Sequence, residues 1–236
     1  MNDHYEAVYR SAVDDVTLQR STSRAASANH LAWLGWLRAV ENFSVTWGDT
    51  VVTPPHRGPE LGLPLGMGAV AMDLLPQTKS NQTATADVVI AYATVSGKSL
   101  GLWLERLWAS CPAAARLPSV YVLCHDSGIP WTSHYFRYTF VYPLLSVQRS
   151  LGDPFLQKFD ESPGKGLAEN FWSFNMNRRG GRGMVSRKRP GNTRAATPAE
   201  TVEHGRWRIS RSSLDMPTAY LEWSTADRVC ITFFCM

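Results

Sequence analysis

Ten basic side chains lie between residues 178 and 211: Arg178, Arg179, Arg182, Arg187, Lys188, Arg189, Arg194, Arg206, Arg208 and Arg211, against only Glu200 and Glu203. Arginine dominates, and its planar fork matches a phosphate with two hydrogen bonds where an ammonium offers a point charge. A charge run alone is as readily a solvated face or a disordered arm. Three features set this one apart. Arg178 and Arg179 follow the aromatic segment Phe171-Trp172-Ser173-Phe174, so they border something buried. Thr197-Pro198-Ala199-Glu200 reads as a capping box with proline at the first helical position, which starts a short helix carrying Glu203 and His204 towards Gly205-Arg206-Trp207. Asp215-Met216-Pro217 opens another short helix that presents Tyr220 beside Trp223. The pattern predicts a folded segment that gathers arginines and one tyrosine around an anionic backbone.

The order Arg-Arg-Gly-Gly, then His-Gly-Arg-Trp, then a tyrosine on a short helix resembles the C-terminal half of tyrosine recombinases, the phage-integrase family, and in particular its eukaryotic, mobile-element-like members. The resemblance implies that Arg178 is the family's second catalytic arginine, that Arg206 or Trp207 fills its His/Trp position, and that Tyr220 is the nucleophile. Asn175 stands three residues before Arg178, where the family's box has histidine.

A second stretch extends the resemblance. Arg38 and Glu41 are three apart, so on a helix the carboxylate can hold the guanidinium, a structural ion pair if nothing else is considered. Yet Leu37 to Asp49, LRAVENFSVTWGD, also resembles the family's first-arginine box, in which Arg-x-x-Glu precedes an apolar stretch, a Trp and an Asp. On that likeness Arg38 contacts the scissile phosphate and Glu41 buttresses it. Residues Ala69 to Leu75 and Asp87 to Ala93, separated by a polar turn, read as a β-hairpin with Lys79 at its tip. Such a lysine is ordinarily solvated; the family carries its catalytic lysine on a hairpin of this kind.

The chemistry implied is DNA strand cleavage and rejoining. A tyrosine hydroxyl attacks the phosphodiester and forms a 3′-phosphotyrosyl ester that keeps the bond energy for religation. Arg38 and Arg178 would clamp the non-bridging oxygens. Lys79 would protonate the leaving 5′-oxygen. Asn175 with Arg206 or Trp207 would complete the hydrogen bonds to the phosphate, while Arg179, Arg182, Arg187, Lys188, Arg189, Arg194 and Arg208 would hold flanking phosphates. No cofactor or metal enters this scheme. DNA is the expected partner, with further copies of the chain assembled on it, in an intracellular and nuclear setting. Two other readings remain: a catalytically degenerate, mobile-element-derived DNA-binding protein, and a nucleic-acid-binding module of unrelated ancestry that uses its tryptophans as stacking platforms.

Certain elements must position these residues. The 236 residues, 44% apolar and 19% charged, are enough for one sizeable core or two small ones. A net charge of +4 is mildly basic, but its local concentration suggests nucleic acid. No run approaches the roughly 18 apolar residues of a membrane span, and the first residues do not read as a signal peptide. Cys111, Cys124, Cys230 and Cys235 lack CxxC spacing and read as reduced, mostly buried thiols. The expected fold is α+β and mainly helical: the catalytic domain of a tyrosine recombinase over 29–236, with a small antiparallel sheet, preceded by a short helix and linker over 1–28. Leu31, Leu34, Leu37 and Val40 predict one core helix that carries Arg38. Thr53 to Gly68, rich in Pro and Gly, predicts irregular chain. Leu100, Leu104, Leu107, Trp108 and Cys111 predict a core-facing helix capped by Ser99. His134 to Leu151 predicts a helix interrupted at Pro143, and His125 and His134 read as surface or packing histidines. Residues 152–169 predict a loop. The apolar end, Val229 to Met236, reads as a final core element or a segment that docks on a neighbouring subunit.

Overall fold

The computed structural model describes residues 2–74, 87–161, 194–205 and 224–235. Its architecture is mainly helical with one three-stranded antiparallel sheet.

Two helices open the chain, α1 (Asn2–Ser11) and α2 (Val16–Leu34). Asp15 caps α2 by accepting a hydrogen bond from the Leu18 amide at 2.9 Å. Helix α2 runs without a break across residue 28, so the stretch expected to be linker is helix. Every residue from Thr22 to Ala32 is buried. The polar look of Arg20 to Asn29 comes from serines and alanines, which are small enough to let neighbouring elements approach this helix closely. The polar groups find partners: Arg24 donates to Asp126 at 2.7 Å, Asn29 to the Tyr5 hydroxyl at 2.8 Å, and the His30 ring to the Ala26 carbonyl at 2.7 Å.

The helix expected through Val40 instead stops at Leu34. Gly35 is its C-cap, and Trp36 takes a left-handed conformation, φ 50°. That conformation is uncommon for a bulky residue and is held by burial, since Trp36 is fully enclosed. The turn resets the register, so helix α3 (Ala39–Ser44) buries Glu41, Asn42 and Phe43 and leaves Val40 exposed rather than in the core.

Strands β1 (Thr50–Thr53), β2 (Ala69–Asp73) and β3 (Asp87–Ala91) form the sheet in that order. Pairs run from Ala69 opposite Ala91 to Asp73 opposite Asp87, so the expected hairpin is present, and β1 adds a third strand to it. Between β1 and β2, Pro55–Leu61 forms a 3-10 helix with Gly62 in the left-handed region at its end. The prolines expected to exclude regular structure here fix φ at values that a short 3-10 helix accepts.

Helix α4 (Leu100–Ser110) begins at Ser99, whose hydroxyl accepts from the Leu102 amide at 3.2 Å. Leu100, Leu104 and Leu107 are buried as expected. Trp108 departs from expectation: it is 43% exposed and stands edge-on to Trp47, ring centroids 5.0 Å apart. The aromatic segment forms one rod of three parts, α5 (Ser133–Phe136), a π-helical turn (Arg137–Val141) and α6 (Tyr142–Ser150). The π turn precedes Pro143, which lacks an amide and would crowd the carbonyl four residues back. Widening the helix there accommodates the ring without breaking the rod. Helix α7 (Pro154–Asp160) occupies part of the expected loop.

Helix α8 (Pro198–Gly205) carries the predicted capping box, with Thr197 N–H donating to Glu200 Oε2 at 2.7 Å and Glu200 N–H to Thr197 Oγ1 at 3.2 Å. Helix α9 (Thr225–Cys235) packs against β3 of its own chain, which makes it a core element here. Thr232 Oγ1 accepts from the Ala91 amide at 2.6 Å, so a hydroxyl satisfies an edge-strand donor. Among the described residues, no helix is long and apolar enough to cross a membrane.

Candidate functional site

Of the arginines predicted to be catalytic, Arg38 is the one that lies among the described residues. It is the N-cap of α3, with extended backbone, and its own N–H donates to Glu41 Oε2 at 2.7 Å. This is half of a capping box. The expected contact between carboxylate and guanidinium is therefore corrected: Glu41, buried to 2% exposure, grips the arginine's backbone instead. The cause is the chain reversal at Trp36, which places Arg38 before the helix rather than inside it, where a carboxylate three residues on reaches the N-cap amide. The guanidinium is half-buried, and among the described residues no carboxylate pairs with it. A cation mounted through its backbone and, among the described residues, free of carboxylates can accept an anion from outside.

The structure holds that mount from several sides. Asn42 Nδ2 donates to the Ala28 carbonyl of α2 at 3.0 Å, tying α3 down. Trp36 meets the edge of His204, ring centroids 4.5 Å apart, and the His204 Nε2 N–H donates to the Leu34 carbonyl at the end of α2. His204 thus links α8, in the basic segment, to the turn that sets Arg38. Sequence reading placed His204 only as a member of the His-Gly-Arg-Trp series. Its position in the last turn of a capped helix was the available signal.

Downstream of α3, the Thr46-Trp47-Gly48-Asp49 turn feeds β1. Asp49 Oδ2 accepts from Thr46 Oγ1 at 2.6 Å, and Gly48 N–H donates to the Pro118 carbonyl at 2.8 Å. The Trp and Asp of the first-arginine box therefore shape the connection from α3 to the sheet. An apolar cleft along α3, lined by Val40, Phe43, Tyr121 and Trp131, does not include Arg38.

Arg194 has a structural role. Its guanidinium forms a two-pronged pair with Glu200, 2.9 and 2.6 Å, on the carboxylate that also caps α8. The Arg194 hydrogen bond holds Glu200 below the usual carboxylate range. In the structure its fork is engaged by Glu200, so Arg194 braces the helix start.

Lys79, Asn175, Arg178, Arg179, Arg182, Arg187, Lys188, Arg189, Arg206, Trp207, Arg208 and Tyr220 lie outside the described residues. The strands that flank the Lys79 turn are described. Lys98, which sequence reading passed over, donates to Ser96 Oγ at 3.0 Å, and burial lowers its pKa. It follows the far end of β3, and a five-residue strand spans roughly 17 Å, so it cannot stand in for a lysine at the hairpin tip. Among the described residues, no group of three or more His, Cys, Asp or Glu could hold a metal ion.

No family model matches the chain, and no curated protein matches it.

Proposed function

We propose that the chain is a tyrosine recombinase-like protein that cuts and rejoins DNA through a 3′-phosphotyrosyl link. The observation that carries this reading is Arg38, a half-buried arginine fixed through its backbone by buried Glu41, with its guanidinium left free of carboxylates among the described residues. A structural arginine in a core normally has its anion beside it, as Arg24 has Asp126. Further support comes from the antiparallel pair β2 and β3, which joins across the segment that contains Lys79, and from α8 meeting the Arg38 turn through His204.

In the reaction, the Tyr220 hydroxyl oxygen bonds to phosphorus as the bond to the 5′-oxygen breaks. The tyrosine proton leaves to solvent or a neighbouring base, and Lys79 supplies a proton to the departing oxygen. Arg38 and Arg178 bind the non-bridging oxygens, where negative charge grows in the transition state. Asn175 and Arg206 or Trp207 complete the hydrogen bonds, and Arg179, Arg182, Arg187, Lys188, Arg189 and Arg208 follow the backbone on either side. The chemistry requires no cofactor, and the substrate places the protein with nuclear DNA, assembled on it in more than one copy.

The test is covalent trapping on a pool of nicked duplexes of randomised sequence, where the cleaved fragment diffuses away and leaves protein attached to DNA. An adduct that resists denaturation and disappears in Tyr220→Phe is the expected result. An adduct that survives in Tyr220→Phe contradicts the assignment.

Asn175 favours one second reading, a DNA-binding descendant that no longer turns over. Asparagine can hydrogen-bond a phosphate but cannot exchange a proton near neutral pH as histidine can. On that reading DNA is bound, no adduct forms, and Asn175→His restores it.

A further inference from the structure

The rod from Ser133 to Ser150 carries a surface feature that the cleavage chemistry does not use. His134, Tyr138 and Tyr142 recur every fourth residue along it. The His134 and Tyr138 rings lie 4.3 Å apart and the Tyr138 and Tyr142 rings 4.7 Å apart, centroid to centroid. His134 is exposed, and Tyr138 is 48% exposed. Arg137 lies against this strip, its guanidinium carbon 5.3 Å from the Tyr138 ring centroid and 5.4 Å from that of Tyr142. Its Nε is buried and, among the described residues, has no hydrogen-bond partner.

The π-helical turn, Arg137–Val141, falls inside the strip. Such turns widen the helix locally and recur at functional sites. Here the widened turn also lets Phe136 and Phe140 face inward against Trp131, ring centroids 6.3 and 4.9 Å away, while the tyrosines stay outside. Charge selects the partner. From Ser127 to Gly152 the chain contains no Asp or Glu, and while Arg149 pairs with Asp160 on α7 at 2.6 Å, Arg137 has no carboxylate partner among the described residues. The exposed rings of His134 and Tyr138, with a cation beside them and no acid in that stretch of sequence, suit a chain of bases joined by phosphates: bases stack on the rings and a phosphate neutralises the arginine. A duplex hides its base faces, so the matching form is single-stranded.

We propose that His134, Tyr138 and Tyr142, with Arg137, form a stacking platform for unpaired nucleotides. The proposal rests on the recombinase-like reading only for the choice of DNA over RNA; the geometry of the strip stands without it. In that setting the platform would hold a strand that has left its duplex next to the cleavage site.

The experiment measures binding of a fluorescein-labelled oligothymidylate of roughly 12 nucleotides, within the site sizes of single-strand binders, by fluorescence anisotropy. An abasic strand of equal length, with the same phosphates and no bases, is the control. The full chain carrying Tyr220→Phe is used throughout, so that no covalent product forms. Oligothymidylate is expected to bind roughly 5- to 100-fold more tightly than the abasic strand, about the range that stacking of a single base provides. Tyr138→Ala should remove that preference and Tyr138→Phe should keep it, because the ring and not the hydroxyl does the stacking. Arg137→Gln should weaken both strands. Equal binding of the two strands, or a preference that persists in Tyr138→Ala, would overturn the proposal and would point to a protein-binding face instead. Adduct formation in the chain with Tyr220 intact is scored separately, so a failed platform and a failed recombinase reading give different results.

Discussion

At the residue scale the decisive contact is the hydrogen bond from the Arg38 amide to Glu41. The pairing of these two residues was legible from their spacing of three, but its form was not, because that depends on whether Arg38 lies in a helix or just before one. Removing the carboxylate leaves a part-buried amide without its acceptor, so Glu41→Ala should destabilise the protein by about 2 kcal/mol. Glu41→Gln keeps an acceptor oxygen and should cost less than about 1 kcal/mol. Urea unfolding midpoints distinguish the two, and equal losses would mean that the carboxylate's charge, not its hydrogen bond, is what matters.

His30 offers a second test at this scale. Burial pushes its imidazole down to about 4; the Ala26 carbonyl opposes the shift, and the charges of Lys98 and the N-terminal amine add to it. The folded state thus prefers the neutral ring, whereas the unfolded chain protonates near 6.5. Stability from this group is complete above pH 6.5 and is lost as the pH falls towards 4, by up to about 3 kcal/mol across the window. His30→Gln should lower stability at pH 7 and flatten its dependence between pH 6.5 and 5, above the range where Glu6, Asp126 and Glu200 titrate. A slope unchanged in His30→Gln would assign the pH dependence to other groups.

At the element scale, periodic and capped segments were legible. Helix α4 with its Ser99 cap, α8 with its capping box, and the pairing of β2 with β3 all follow local rules that involve neighbours in sequence. What sequence reading missed depends on distant neighbours. The serine- and alanine-rich first half of α2 looks like a linker until α4 is laid against it, and the left-handed Trp36 has no local signature because its conformation is held by burial and by His204. Glycine at 101 is one such long-range requirement. A Cβ there would lie 2.0 Å from Tyr92 Cδ2, at the point where Gly101 N–H donates to the Tyr92 carbonyl at 3.0 Å. Gly101→Ala must push α4 away from the end of β3, and should cost roughly 1 to 3 kcal/mol in spite of alanine's better helix propensity. Thermal unfolding measures it, and a stabilised Gly101→Ala would show that the Tyr92 ring moves aside freely.

For the whole molecule, the class of the fold was legible: mainly helical, with a small antiparallel sheet, closed by the apolar C-terminal segment. The convergence of distant residues was less so. Trp36 and His204 meet across more than half of the chain, and no sequence spacing records that. The basic cluster belongs to this scale as well, because phosphate contacts act through counterion release. Replacing Arg187, Lys188 and Arg189 together with alanine should weaken duplex binding and lower the slope of log affinity against log salt by up to about 3, roughly one for each phosphate that is no longer neutralised. An unchanged slope would place the three residues away from DNA.

The central claim is that Arg38 neutralises a non-bridging oxygen of the scissile phosphate. It is tested most directly with a nicked substrate, chosen from the sequences trapped in the pool, in which that phosphate is either natural or replaced by an uncharged methylphosphonate, using protein that carries Asn175→His. On the natural phosphate, Arg38→Ala should reduce the rate of adduct formation about 10²- to 10³-fold, the usual effect of removing one preorganised donor from a developing charge. On the methylphosphonate, where the charge that Arg38 would balance is already gone, Arg38→Ala should react at nearly the rate of the protein with Arg38 intact. Equal loss on both substrates would contradict the account and leave Arg38 as a structural residue.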